Sequence, residues 1–250
     1  MKKIGLIGYP LSHSFSKTYF TNKFKEENID DQYCYENFPL EKIEDFPALL
    51  KDNPDLIGFN VTIPYKEAVV KYMDLLDVEA SIILAVNTIR IEKNGKLKGC
   101  NTDLTAFRDT LEDFLIENGG YAENALILGT GGAAKAVKFA LEILHIPYQL
   151  VSRSPAKDCI TYQALSEDLV RKSSLIINTT PLGMHPAIDT CPAIPYHCLT
   201  EKHRLYDLVY NPAESLFLQK GKKQGAAIMN GLAMLHGQAE AAWQIWQQNK

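Results

Sequence analysis

The run Leu-Ile-Leu-Gly-Thr-Gly-Gly-Ala-Ala-Lys-Ala-Val, residues 126–137, constrains this chain more than any other stretch. Its apolar start, 125–128, reads as a short strand, and 135–144 as a helix. Between them lies the turn Gly129-Thr130-Gly131-Gly132-Ala133. Glycines remove side chains where backbone must turn tightly and where a pyrophosphate approaches, and Ala134 is small enough for helix to pack on strand. The amides opening the helix carry partial positive charge and suit an anion. Two glycines in a strand-to-helix turn also arise for steric reasons alone. Strand before, helix after and a suitable second strand make this a dinucleotide site.

Apolar runs at 148–151, 175–178, 205–208 and 226–229 alternate with helical stretches, the pattern of a doubly wound parallel sheet. The chain has 250 residues, 46% of them hydrophobic, enough for one large or two modest domains. A net charge of −4 argues against a nucleic-acid surface, which would be basic. No run approaches the roughly 20 apolar residues of a membrane helix. Five cysteines, odd in number and without a CxxC pair, read as reduced thiols, and the cytoplasm is the expected location.

In the N-terminal half, residues 3–8 read as a buried strand that turns through Tyr9-Pro10. Ser12, Ser14 and Ser16 then crowd the start of an amphipathic stretch, where one serine suffices as a helix cap and several make a carboxylate site. Strands follow at 32–38 and 56–59, the latter an edge-like run leading into Asn60-Val-Thr-Ile-Pro-Tyr-Lys66. Pro64 is placed to open a helix over 65–72. Lys66 is then either a solvated lysine or one held in a first turn against the helix dipole for another reason. A helix over 77–84 precedes two strands, 86–91 and 97–103, joined by the Lys93-Asn94-Gly95 hairpin. Asp103 ends the second strand as a candidate N-cap for a helix over 104–117.

Ser14-Phe-Ser16, Asn60–Lys66, Ala85-Val-Asn-Thr88 and Gly99-Cys-Asn-Thr-Asp103 resemble the substrate-domain motifs of the shikimate dehydrogenases. The glycine turn, Asn178-Thr-Thr-Pro-Leu-Gly-Met184, Asp207-Leu-Val-Tyr-Asn-Pro212 and Gly231-Leu-Ala-Met-Leu-His-Gly-Gln238 resemble the same family, in the same order. The resemblance implies an α/β protein of two domains. A split substrate domain, 1–103 plus 231–250, would flank a Rossmann-type cofactor domain, 104–230, with the site expected in the crevice between them. It implies reversible NADPH-dependent reduction of 3-dehydroshikimate to shikimate in aromatic amino acid biosynthesis, by a monomer or homodimer. Quinate or an amino-shikimate is the alternative substrate. By the same resemblance Lys66 and Asp103 are catalytic, while Ser14, Ser16, Thr62, Asn87, Tyr210 and Gln238 contact substrate. Lys17, Leu84 and Ala106 depart from the family pattern, which usually has proline at the first and glycine at the other two.

The second nucleotide-domain strand ends in Val151-Ser152-Arg153-Ser154. An NAD site usually carries an acid here for the ribose 2′-hydroxyl, whereas this chain offers none before Asp158. Arg153 can pair bidentately with the 2′-phosphate of NADP, helped by Ser152 or Ser154, with Lys157 as a second charge. NADP is the expected cofactor, with Thr179 lining its cleft and the Gly231 backbone near the nicotinamide. Cys191, His197, Cys198 and His203 match no metal-ligand spacing, so no metal is expected.

Overall fold

Short apolar runs and intervening helices sort into two sheets, within a computed structural model that describes residues 1–11 and 15–248. Two compact units divide the chain: Met1–Thr102 with Gln238–Lys250, and Asp103–Gly237. The return from the second unit to the first thus falls later than Gly231.

In the first unit, β1 (Lys2–Gly8), β2 (Tyr33–Pro39) and β3 (Leu56–Val61) run parallel, connected through α1 (Phe15–Glu26) and α2 (Phe46–Asp52). Helices on such crossovers cover the sheet faces, which is why β1 is buried from Ile4 to Gly8. The chain continues through β4 (Leu75–Leu76), α3 (Val78–Ile83), β5 (Thr88–Ile91) and β6 (Leu97–Cys100). The six strands lie in the order β2-β1-β3-β5-β6-β4, with β5 antiparallel to both neighbours. β3 is therefore interior, not an edge. Gly58 in β3 has a packing reason: a Cβ there would lie 2.3 Å from Trp246 Nε1, which donates to the Ile89 carbonyl at 2.9 Å. Phe20, Phe24, Tyr35, Trp243 and Trp246 interlock on that face. Burying each such ring contributes roughly 1.5–3 kcal/mol before entropy is counted.

The helix over 77–84 is realised as α3, with Asp77 as its N-cap accepting from the Ala80 amide at 2.7 Å. Leu84 closes α3 in the left-handed region at φ 55°, exposed on the surface. A helix ending in that conformation is the usual place for glycine, whose missing Cβ removes a cost of about 1–2 kcal/mol. Leu84 replaces a family glycine without changing the backbone path that glycine favours.

The second unit begins with α4 (Thr102–Glu117, its first residue belonging to the first unit). There follow β7 (Ala125–Leu128), α5 (Gly132–Ile143), β8 (Tyr148–Ser152), β9 (Cys159–Thr161), α6 (Glu167–Lys172), β10 (Leu175–Asn178), β11 (Arg204–Asp207), α7 (Leu216–Lys223) and β12 (Ala227–Met229). The last helix, α8 (Leu232–Gln247), carries the chain back to the first unit. All six strands are parallel, in the order β12-β11-β10-β7-β8-β9. Renumbered from β7 this is the doubly wound order, with its topological switch between β7 and β10. Ala106, the third departure, is buried and faces Gly237, where a Cβ would stand 3.3 Å from the Ala106 Cβ. The close approach is kept by a glycine on the opposite helix.

Asp207 holds the middle of this sheet together at its C-terminal end. Fully buried, it accepts from Asn178 Nδ2 at 2.9 Å, from the Val209 amide at 3.0 Å and from the Ser215 hydroxyl. Burial outweighs those three bonds and raises its pKa from 3.8 to about 6. The folded chain thus holds this proton more tightly than the unfolded chain does. The stability it contributes is complete below about pH 4 and is lost as the pH rises to about 6. Asp207→Asn cannot ionise, so it should gain on the parent protein by up to about 3 kcal/mol across that interval. Urea unfolding of both proteins at the two ends of the window measures this. A stability gap independent of pH would show Asp207 ionised throughout.

Candidate functional site

A cavity of about 470 Å³ opens at the C-terminal ends of β10, β7, β8 and β9, across the topological switch. Gly129, Thr130 and Gly131 form one side, Ser152, Arg153 and Ser154 the far end, and Thr179 the near wall. These seven are residues the sequence pattern selected. Thr180 and Pro181 join Thr179, as the Asn178-Thr-Thr-Pro motif implied; Val151 and Leu182, from the same two motifs, and Tyr162, from none, complete the lining. Gly132, Ala133 and Gly231 are not among the lining residues.

The glycine turn is built for a ligand's backbone approach. Gly129 has φ 116°, and a Cβ there would meet Thr179 Oγ1 at 2.6 Å. Thr179 in turn donates to the Leu128 carbonyl at 2.8 Å, bracing the strand end beneath the turn. At Gly131 and Gly132 a Cβ would meet nothing within 4 Å. That open space leaves the backbone of the turn accessible from the cavity side. α5 starts at Gly132 with Gly131 as N-cap, three residues earlier than its sequence pattern suggested. Its first amides therefore belong to the turn itself, where helix-dipole charge is greatest.

At the ribose end Arg153 and Ser154 are exposed, as is Lys157, whereas Ser152 is buried. The Ser152 hydroxyl donates to the Ser154 carbonyl and accepts from the Ser154 amide at 3.1 Å. It shapes the loop that presents Arg153, and its hydroxyl hydrogen is engaged within that loop. Between the two serines expected to help Arg153, the geometry favours Ser154. The donor set fits a phosphorylated ribose: a cation, a hydroxyl, and no carboxylate in the loop before Asp158.

Gly231 is buried, and a Cβ there would fall 2.2 Å from the Leu208 carbonyl oxygen. Its amide donates to Val209 O at 3.2 Å. Glycine is thus required by packing where the last helix begins, whatever else its backbone does. Tyr210, two residues beyond Leu208, is exposed.

In the first unit, Ser14 lies outside the described residues. Ser16 sits half-buried in the first turn of α1 and hydrogen-bonds Tyr35. The Tyr35 hydroxyl donates to Asn60 Oδ1 at 2.7 Å, and Asn60 Nδ2 donates to Thr88 Oγ1 at 3.3 Å. Three of the motifs are therefore joined by one buried chain of hydrogen bonds that no local pattern announces. Thr62 is half-buried, its amide bonded to Ile7 O at 2.9 Å.

Lys66 is not in a helix. It lies half-buried in a turn ahead of a short 3-10 helix, Ala68–Tyr72, and its carbonyl accepts from the Val86 amide at 2.7 Å. A helix opening at Tyr65 would have offered that carbonyl to Val70, whose amide instead bonds Glu67 O at 3.2 Å. The expectation over 65–72, and the dipole argument built on it, give way to this bond between the turn and the segment that precedes β5.

Asn87 precedes β5 and is 3% exposed. Its Nδ2 donates to Thr102 Oγ1 at 2.9 Å, and its Oδ1 accepts from the Thr102 amide at 2.8 Å. An amide NH₂ has a second hydrogen, so this clamp and a ligand contact are compatible. β6 stops at Cys100, short of the expected 97–103, and Asp103 lies inside the first turn of α4 rather than at its N-cap. Gln238 is half-buried in α8.

The four cysteines and histidines considered for metal divide. His203 is buried, with Nδ1 accepting from the Thr200 amide at 3.0 Å and Nε2 3.1 Å from Val170 O. His197 and Cys198 gather with Glu167, ligand atoms within 4.8 Å of one another. Glu167 already engages His197 at 2.9 Å and Arg171 at 3.1 Å, and burial pushes the Cys198 thiol up, away from the thiolate a metal needs. All five cysteines are free.

A parallel sheet in doubly wound order, with an anion-binding turn and a basic ribose end, marks a nicotinamide-dinucleotide oxidoreductase carrying a separate substrate unit. Residues 6–89 match the shikimate dehydrogenase substrate binding domain. A "Shikimate dehydrogenase (NADP(+))" of Methanococcus maripaludis is 37% identical, over 98% of this chain and 91% of that protein. The chorismate mutase/shikimate 5-dehydrogenase fusion protein of Clostridium acetobutylicum superposes with a TM-score of 0.86 at 33% identity, covering 99% of this chain and 92% of that one. The shikimate 5-dehydrogenase of Thermus thermophilus, solved with NADP(H) and shikimate, gives a TM-score of 0.83 at 28% identity, covering 99% and 94%. The chain belongs to the shikimate dehydrogenase family. No helix of the described residues is long and apolar enough to cross a membrane.

Proposed function

We propose that this chain catalyses the reversible NADPH-dependent reduction of 3-dehydroshikimate to shikimate, acting in the cytoplasm as a monomer or homodimer. The observation that carries the reading is the dinucleotide cavity ending in Arg153 with no acid beside it, in a chain whose residues 6–89 match the family's substrate domain. When bound, NADPH supplies a hydride to the substrate carbonyl. Gly129, Thr130, Gly131 and the first amides of α5 would hold its pyrophosphate, and Arg153 with Ser154 would hold its 2′-phosphate.

The protein's own task is to orient the substrate and to deliver a proton to the developing alkoxide. Ser14 and Ser16 receive the substrate carboxylate, with Tyr210 beside it. Thr62, Asn87, Asp103 and Gln238 share the ring hydroxyls. Lys66 stabilises the alkoxide with its ammonium and donates the proton, and in the reverse direction its free amine accepts one. Asp103 orients the lysine and the neighbouring hydroxyl. The Lys66 carbonyl bond to Val86 supports this assignment, because it ties the lysine's backbone to the segment bearing Asn87.

Following the absorbance of reduced nicotinamide with shikimate, quinate and both oxidised cofactors tests the proposal. The highest kcat/KM should be with shikimate and NADP. A higher value with quinate changes the substrate, and a higher value with NAD removes the role given to Arg153.

A further inference from the structure

Tyr162 lines the dinucleotide cavity, yet no motif of the chain contains it. It follows β9, and the link from β8 to β9 is only Arg153 to Asp158. Helical crossovers between parallel strands need a dozen residues or more, so no helix separates these two strand ends. Ser152 pairs with Thr161 in register, which brings Arg153 and Tyr162 off neighbouring strands at the same level. Such strands lie about 4.8 Å apart.

The Tyr162 ring is half-buried, but its hydroxyl oxygen is fully buried and has no hydrogen-bond partner among the described residues. An orphaned buried hydroxyl costs roughly 1–3 kcal/mol, a cost that phenylalanine would not carry. Burial pushes this phenol up to about 12 while the nearby Arg153 charge pulls it down. It remains a protonated donor close to the cation that marks the ribose end. Ser152, the other hydroxyl at that strand end, is already committed to Ser154.

We propose that the Tyr162 hydroxyl donates a hydrogen bond to the 2′-phosphate of the cofactor and thereby helps select the phosphorylated dinucleotide. This rests on the NADP reading above. The end of the second strand faces the ribose in this fold. Tyr162 stands one strand further out, on the side towards which a 2′-substituent can extend. Engaging the phosphate requires the ring to turn toward the cavity it borders, and an orphaned hydroxyl breaks no bond by turning. Arg153 supplies charge and Tyr162 a neutral donor, and a phosphate has oxygens for both.

Calorimetric titration of the full chain with NADP⁺ and NAD⁺ tests this in the parent protein, Tyr162→Phe and Tyr162→Leu. Tyr162→Phe should weaken NADP⁺ binding about tenfold, the lower end for a hydrogen bond to a charged group, and leave NAD⁺ binding unchanged. KM for NADPH should rise by the same factor at constant kcat. Unchanged NADP⁺ affinity, or equal weakening of both dinucleotides, overturns the proposal. So does loss of both cofactors in Tyr162→Leu with Tyr162→Phe intact, which would make the ring a stacking face. A parent that binds NAD⁺ more tightly than NADP⁺ defeats the cofactor reading itself, and is visible before either variant is made.

Discussion

Lys66→Ala is expected to lower kcat by about 10²–10⁴-fold, the range for removal of a positioned acid–base group. Shikimate should still bind in a titration, because the carboxylate and hydroxyl contacts are assigned elsewhere. The fold should survive as well. The 2.7 Å link to Val86 uses the backbone carbonyl of residue 66, which alanine retains. Loss of the ammonium removes a group needed only as charge develops on the substrate oxygen, so kcat and kcat/KM should fall together. Near-normal turnover by Lys66→Ala would mean that the proton comes from another group.

Arg153→Ala should act on the other parameter. Hydrogen bonds to a charged group contribute about 1.5–3 kcal/mol, so KM for NADPH should rise roughly 10–100-fold. KM for NADH and kcat with either cofactor should hardly change, since the bare ribose makes no use of the cation. Arg153→Lys should fall between, keeping the charge but losing the planar fork. The guanidinium is exposed and the loop is shaped by Ser152 and Ser154, so the substitution removes a contact without unfolding its support. Equal losses with both cofactors would place Arg153 against some part of the dinucleotide other than the 2′-phosphate.

The doubly wound sheet was legible because helices separate β7 from β8, β9 from β10 and β11 from β12, and its first turn is written in glycine. β7, β10 and the start of α8 fall where apolar runs and small residues put them. β9 was invisible: three residues, with no helix before them and no apolar alternation. Its absence from the pattern concealed Tyr162, which is at the cavity only because β9 pairs with β8. At Lys66 the sequence signal was sound in kind, a proline ahead of a helix-forming run, but a tertiary hydrogen bond overrode it. The Ser16–Tyr35–Asn60–Thr88 chain was beyond local reading for a related reason. Its members are far apart along the backbone, and side-chain partners at that distance leave no periodic trace.

The reciprocal bonds between Asn87 and Thr102 bear on how this protein can change over generations. Each supplies what the other lacks, a carbonyl for the Thr102 amide and a hydroxyl for the Asn87 NH₂, and both are sealed from water. Replacing either alone strands a buried polar group at about 1–3 kcal/mol, a sizeable share of a typical domain's 5–15 kcal/mol stability. Intermediate genotypes are thus penalised, and the two positions drift together or stay. Thr102 directly precedes Asp103, so that shared restraint also narrows the paths by which the proposed catalytic aspartate could migrate.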